Sequence, residues 1–257
     1  MRYLFSPQGE AVMHRCVTRR TLLAFDFDGT LAPIVARPES ASAPISVERA
    51  MRRLCEAATV AIVSGRAVAD IRRRIGFHPK YVVGNHGAEG LPGQPAGPGA
   101  HPAVAAWEAQ LDAVADRLPP GTRLENKGQS LTLHYRMADH RDSARQVLES
   151  LAGTLVPAPR SSGGKCVINL MPPDAADKFD ALLALQRAEH APNLFFVGDD
   201  ETDETAFRKA LPGWITVRVG HDRRSAAAYC LNSQTEIVAL IARLDALVRP
   251  PHPETNR

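Results

Sequence analysis

The sequence predicts an α/β fold: a doubly wound core built on a mostly parallel sheet, interrupted once by a small α+β insert. Three observations carry that expectation. Short apolar runs alternate with longer amphipathic stretches, as in βαβ units. The alternation breaks after Gly87, where AEGLPGQPAGPGAHP reads as a Gly/Pro-rich linker. The βα pattern resumes at Lys178, just after Met171-Pro172-Pro173 closes the insert.

Taken in order, the apolar runs at 22–27, 60–64, 81–84, 194–198 and 215–219 are the expected core strands. Amphipathic stretches at 47–57, 68–75, 178–190 and 202–210 are the expected helices between them. A last helix over 234–248 is expected to start from an N-cap at Asn232 or Ser233. Within the insert, a helix at 103–118 precedes strands at 123–126 and 130–136, a helix at 142–151 and a strand at 165–170. The division that follows is a core at 1–88 and 173–257 and an inserted domain at 89–172. The tail RPPHPETNR is too proline-rich and polar to pack.

Bulk properties narrow the function classes. A hydrophobic fraction of 44% and a charged fraction of 23% are those of a water-soluble globular chain. No apolar run is long enough to cross a bilayer, and MRYLFSPQGEAVMHRC lacks the basic-then-apolar layout of a secretory signal, so a cytoplasmic protein is expected. Cys16, Cys55, Cys166 and Cys230 have no CxxC spacing, which favours buried reduced thiols over a metal or redox site. With 31 Lys plus Arg against 28 Asp plus Glu, the charge is too even for nucleic-acid binding. Arg72-Arg73-Arg74 reads as a solvated helix face, and a monomer is expected.

Four pieces carry chemistry. The first strand ends in FDFDGTL. Alternation puts Asp26 and Asp28 on one face if the strand stays straight, and two like charges so close call for a cation or a split in pKa. Ligands of open α/β sheets collect at such strand ends. The second strand ends in IVSGR, where the Ser64 hydroxyl and the N–H groups near Gly65 can hold a phosphate oxygen; serine and glycine after a strand are otherwise just a turn. Lys178, opening a helix, would alone be a surface lysine, but a metaphosphate-like transition state needs a fixed cation there. In FFVGDDETDE, Asp199, Asp200 and Asp203 are hard oxygen ligands suited to Mg²⁺, against the simpler reading of an acidic helix N-terminus.

DxDGT, SGR, Lys and GDDxxD, in that order, resemble the haloacid-dehalogenase-like phosphatases. The resemblance spans the whole chain and implies a Rossmann-like core with an α+β cap that selects the leaving group. It also implies that Asp26 is the nucleophile, forming an aspartyl-phosphate, and that Asp28 protonates the leaving oxygen and then activates water. Ser64, Lys178 and Mg²⁺ held by Asp26, Asp28, Asp199, Asp200 and Asp203 complete the expected machinery. A carboxylate nucleophile divides one hard displacement into two easier ones.

DFDGTLAPI at 26–34, GNHGAE at 84–89, ENKGQSLTLHYR at 125–136 and GDDETDE at 198–204 are similar to the trehalose-6-phosphate phosphatase family. In SLTLHYR, Ser130, Thr132, His134 and Arg136 share one strand face, and Leu131, Leu133 and Tyr135 the other. By pattern alone the polar face could line a cleft or simply meet solvent; the resemblance implies a cleft. It implies sugar-phosphate contacts from Gly65, Arg66, His86, Glu125, Lys127, Arg136, Lys165 and Asn169, with trehalose 6-phosphate the favoured substrate. His134 either contacts the sugar or holds its strand. This chain departs from the family in GGKCVINLMPPDAADKF, where Asn169 stands in place of a glutamate and Phe179 in place of a glycine. Rival readings are a phosphatase for another phosphorylated disaccharide or glycosyl-polyol phosphate, a phosphomutase, and a non-catalytic sugar-phosphate sensor.

Overall fold

The structure is a computed structural model that describes residues 1–35, 37–93, 101–164 and 166–249. The chain opens with β1 (Arg2–Tyr3), α1 (Pro7–Cys16), β2 (Leu22–Phe25), α2 (Ile45–Ala57), β3 (Val60–Val63), α3 (Val68–Arg74) and β4 (Tyr81–Val83). Next come α4 (Pro102–Asp112), β5 (Arg123–Asn126), β6 (Leu131–His134), α5 (Arg141–Ala152), β7 (Arg160–Gly164) and β8 (Val167–Met171). It closes with α6 (Lys178–Ala188), β9 (Leu194–Gly198), α7 (Glu204–Arg208), β10 (Trp214–Val219), β11 (Tyr229–Leu231) and α8 (Ile237–Val248).

Seven strands form one parallel sheet in the order β1-β11-β10-β9-β2-β3-β4. β2, β3 and β9 carry no polar side chain and are buried at every position, because both faces are covered. Leu23 and Phe25 join Val47, Met51, Leu54, Leu240 and Leu244 in the core beneath α2 and α8. Leu22 and Ala24 face the other way, onto Ala181, Leu182 and Leu185 of α6. From β2 the chain moves outward to β3 and β4 on one side, and β9 to β11 fill the other. The switch in strand order therefore lies between β2 and β9, where crevices form at carboxyl ends.

The second sheet is antiparallel, in the order β5-β6-β8-β7, and has its own apolar core. Trp107 of α4, Leu148 of α5, Leu131 and Leu133 of β6 and Ile168 and Leu170 of β8 fill it. The opposite face carries a row of directly paired polar residues: Glu125 opposite Thr132, Thr132 opposite Asn169, and Asn169 opposite Ser162.

Several expectations need correction. The helix expected at 103–118 stops at Asp112, because Val114 leaves helical backbone (φ −122°, ψ 28°), and a separate 3₁₀ turn follows at Ala115–Arg117. The strand expected at 165–170 starts at Val167, after Cys166 in the left-handed region (φ 64°); Lys165 lies outside the described residues. Its neighbour β7 was not expected, since RSSGG has no apolar pattern and is a strand only by pairing with β8. Ser233 sits at an N-cap position but its side chain does not cap; its hydroxyl meets Thr235 Oγ1 at 2.7 Å. Of the cysteines, all four are free, but only Cys230 is buried. Arg74 is not on a solvated face: its side chain is 15% exposed, against 72% for Arg73. Much of the linker, 94–100, and the tail from 250 lie outside the described residues. Among the described residues no helix is long and apolar enough to cross a membrane.

Candidate active site

Three neighbouring parallel strands end at one place. Phe25 of β2 is in register with Val197 of β9 and Ile62 of β3, so Asp26, Asp199 and Ser64 follow at adjoining carboxyl ends. They line a cleft of about 320 Å³ whose opposite wall is the polar face of the antiparallel sheet. β2 does not stay straight past Phe25; Gly29 (φ 79°) completes the turn, and a Cβ there would lie 2.0 Å from Asp199 Oδ2. Only glycine allows that turn and that approach together.

Lys178 is the first residue of α6, where Asp177 caps the helix in a reciprocal box with Asp180. That fixed start holds the Lys178 side chain, 1% exposed, with Nζ 3.0 Å from Asp26 Oδ1 and 2.6 Å from Asp203 Oδ1. Asp203 accepts two further bonds, at 2.9 Å each, from the N–H groups of Asp199 and Asp200. It thereby fixes both the lysine and the acidic loop. The near-glycine approach recurs at Gly198, where a Cβ would lie 2.3 Å from the Asp203 carboxyl carbon.

Oxygens of Asp26, Asp199 and Asp203 lie within 4.8 Å of one another, all on buried residues. Burial pushes the Asp26 carboxyl up; the Lys178 ammonium pulls it down, and the carboxylates of Asp203, Asp199 and Asp28 push it up again. Burial also opposes the charge on Lys178, yet Asp203 and Asp26 outweigh it and raise its pKa. A single lysine among three buried carboxylates leaves negative charge uncompensated, and the donor set is all hard oxygen. That fits a small divalent cation such as Mg²⁺.

Asp28, expected as both acid–base and metal residue, is not one of the three clustered carboxylates. Arg66 grips it through Nε at 2.6 Å and Nη2 at 2.7 Å. Ser64 is buried (1% exposed) and accepts from the Arg66 N–H at 3.2 Å. Lys127 reaches over from β5's end to the Gly65 carbonyl at 3.2 Å.

On the facing wall, Glu125 meets His134 at 2.7 Å, and that bond, with Lys127 and Arg123, holds the Glu125 carboxyl down to about 2. Thr132 donates to Asn169 Oδ1 at 3.0 Å. His86 is buried beside Gly65, and burial, with Lys127 and Lys178 near it, pushes its imidazole well below the usual histidine range. Asn85 and His86 both have positive φ (50° and 59°), a strained pair for residues with side chains. Asn85 compensates with bonds to Glu89, to the Lys127 carbonyl and from Ser130, tying the two sheets together. Arg136 donates to the Val35 carbonyl at 2.8 Å and Arg123 pairs with Glu39 at 3.0 Å, a second tie between them.

Every described residue expected at the site therefore meets in one cleft: Asp26, Asp28, Ser64, Gly65, Arg66, His86, Glu125, Lys127, Arg136, Asn169, Lys178, Asp199 and Asp200 line it, with Asp203 behind Lys178. Thr132, Asp70 and Arg74 line it too and were not foreseen there, nor was Asn85 as the buried tie beside it. Asp70 lies four residues from both Arg66 and Arg74, a helical spacing that marks an ion-pair row.

A family model described as trehalose-phosphatase matches residues 24–234. The chain belongs to the trehalose-phosphatase family. A trehalose-phosphate phosphatase of Mycobacterium marinum is 34% identical over 250 residues, covering 88% of this chain and 61% of that protein. A Mycobacterium tuberculosis protein named as an uncharacterized glycosyl hydrolase is 33% identical over 251 residues, covering 88% of this chain but only 18% of its own length. The chain thus spans less than two thirds of these relatives. The structure of the C-terminal domain of Candida albicans trehalose-6-phosphate phosphatase superposes with a TM-score of 0.78 at 23% identity, covering 93% of this chain and 97% of that one. That structure shares this chain's fold, a haloacid-dehalogenase-like parallel core with an antiparallel second sheet.

Proposed function

We propose that this chain is a magnesium-dependent phosphatase that hydrolyses trehalose 6-phosphate to trehalose and phosphate through an aspartyl-phosphate on Asp26. The observation that carries the reading is the buried Asp26–Lys178 pair at the floor of a cleft walled by sugar-sized polar groups. Asp26 attacks phosphorus while Lys178 neutralises the oxygens that would repel it. Ser64 and the N–H groups beside it hold a phosphoryl oxygen. Asp28 protonates the departing sugar oxygen, then takes a proton from the water that cleaves the acyl-phosphate. Asp26, Asp199 and the Asp28 carbonyl would hold Mg²⁺, with Asp200 or Asp203 acting directly or through water, and the ion when bound supplies further positive charge to the phosphoryl group.

The unit at 89–172 serves as a cap, with 1–88 and 173–257 as the catalytic core. Closed over the cleft, the cap excludes bulk water from the acyl-phosphate and brings Glu125, Lys127, Arg136 and Asn169 against the sugar. Phosphate release over a panel of sugar phosphates tests the reading, with trehalose 6-phosphate expected to be turned over fastest. A panel in which it is not a substrate would overturn it. Chelation is expected to abolish activity, Mg²⁺ to restore it and Ca²⁺ to inhibit, because the larger ion's looser shell misplaces an in-line attack. Full activity in excess chelator would contradict the metal site.

A second reading, a related phosphorylated disaccharide or glycosyl-polyol phosphate, is favoured by one feature. Asn169 is an amide whose oxygen is already taken by Thr132, so it offers the cleft donors rather than a charged acceptor. A carboxylate at that position would accept charge-assisted bonds from sugar hydroxyls. Asn169→Glu is expected to raise kcat/KM for trehalose 6-phosphate by about one hydrogen bond's worth, on the order of 0.5–1.5 kcal/mol. Steady-state kinetics on the panel decide it: a loss on trehalose 6-phosphate with a gain elsewhere would favour the second reading.

A further inference from the structure

Asp28 is held by a fork that is itself held. Arg66 spends Nε and Nη2 on Asp28 and donates Nη1 to Asp70 Oδ2 at 2.9 Å. Asp70 lies at the edge of the same cleft, with both carboxylate oxygens engaged by arginines. It takes Arg74 Nε at 2.8 Å and Nη2 at 3.0 Å, and Arg73 Nη2 at 3.1 Å. Arg74 in turn donates Nη1 to the carbonyls of Glu39, at 2.6 Å, and Ala41, at 2.9 Å. The result is one chain of bidentate and forked contacts from the 39–41 loop through Arg74, Asp70 and Arg66 to Asp28. Planar forks fix direction as well as distance. With the Arg66 side chain only 12% exposed, loss of the Asp70 carboxylate would remove a charge-assisted bond that fixes the angle of the fork.

We propose that Asp70 is a positioning residue for the leaving-group step: it sets the angle of the Arg66 fork and so the place from which Asp28 delivers its proton. The assignment rests on Asp28 acting as the general acid. It has a signature that mere structural support lacks, because it depends on the leaving group. A sugar alkoxide must be protonated to depart, whereas p-nitrophenolate leaves unaided. The parameter kcat/KM reports steps through phosphoryl transfer, so it isolates that proton.

The experiment compares kcat/KM for trehalose 6-phosphate and for p-nitrophenyl phosphate, with Mg²⁺, in the full chain and in Asp70→Asn, Asp70→Glu, Arg74→Gln and Asp28→Asn. Asp70→Asn, which removes charge and keeps shape, is expected to cost about 10- to 100-fold on the sugar phosphate, in kcat rather than KM, part of what a general acid supplies. Its aryl-phosphate kcat/KM is expected to stay within about three-fold, well inside the smallest general-acid contribution. Asp70→Glu restores part of the loss, and Arg74→Gln shows the same selectivity more weakly, which serves if Asp70→Asn folds poorly. Equal losses on both substrates, or none on either, overturn the assignment while the phosphatase reading stands. If Asp28→Asn itself lacks the selectivity, Asp28 is not the acid, and the Asp70 assignment falls with it.

Discussion

Asp26→Asn is expected to fold as the parent does and to release phosphate slower by on the order of 10⁴-fold or more, as when other covalent nucleophiles are removed. An amide of the same shape still fits the 4%-exposed site, still donates its backbone N–H to Val197 and still neighbours Lys178. It cannot form an acyl-phosphate. The substitution also removes one of three crowded buried carboxylates, so the melting temperature is expected to be unchanged or higher. Phosphate release and thermal melting on the same preparation check both halves. A variant that keeps most of its activity would remove Asp26 as nucleophile.

Lys178→Met is expected to damage both turnover and stability. The ammonium compensates Asp26 at 3.0 Å and Asp203 at 2.6 Å, with nearly no solvent access on any of the three side chains. Removing one partner from a buried ionic group costs about 3–5 kcal/mol, since the remaining charges stay buried and unpaired. The loss also reaches the acidic loop, because Asp203 anchors the N–H groups of Asp199 and Asp200. Urea unfolding in chelator is expected to show the full deficit, and Mg²⁺ to narrow it by supplying the missing positive charge. Parent-like stability in chelator would mean that the carboxylate cluster is not ionised as described.

What was legible beforehand divides along a physical line. The parallel core could be read because strands such as Leu22–Phe25 and Leu194–Gly198 are buried on both faces and so are apolar at every position. The acidic cluster could be read because DFDGT and GDDETD concentrate carboxylates at the ends of those strands, where a bare fold has no use for them. The face of β6 was also legible, since alternation sends Leu131 and Leu133 into the core and Thr132 and His134 toward the cleft.

The features missed depend on pairing across the chain. β7 is Ser and Gly, carries no pattern, and exists because β8 lies beside it. Helix α1 has a start signal in Ser6-Pro7, with the serine hydroxyl accepting from Gly9, but its mixed composition masked it. Arg74 looked solvated because its partners, Asp70 and the carbonyls of Glu39 and Ala41, come partly from a loop over 30 residues away, with separations of 35 and 33. Asn85 was passed over for a similar reason: Ser130 and Lys127, which justify its strained backbone, come from the turn between β5 and β6 of the other sheet.

The central claim, that turnover passes through a covalent phosphoryl group on Asp26, is tested most directly by trapping it. Trehalose 6-phosphate is mixed with the Mg²⁺-loaded chain and quenched in acid during the first turnovers, and the digest is mapped by mass spectrometry. A phosphoryl group on the peptide bearing Asp26, absent from Asp26→Asn, is the expected result. A phosphoryl group on any other residue, or turnover at every quench time with no covalent phosphate, would contradict the account.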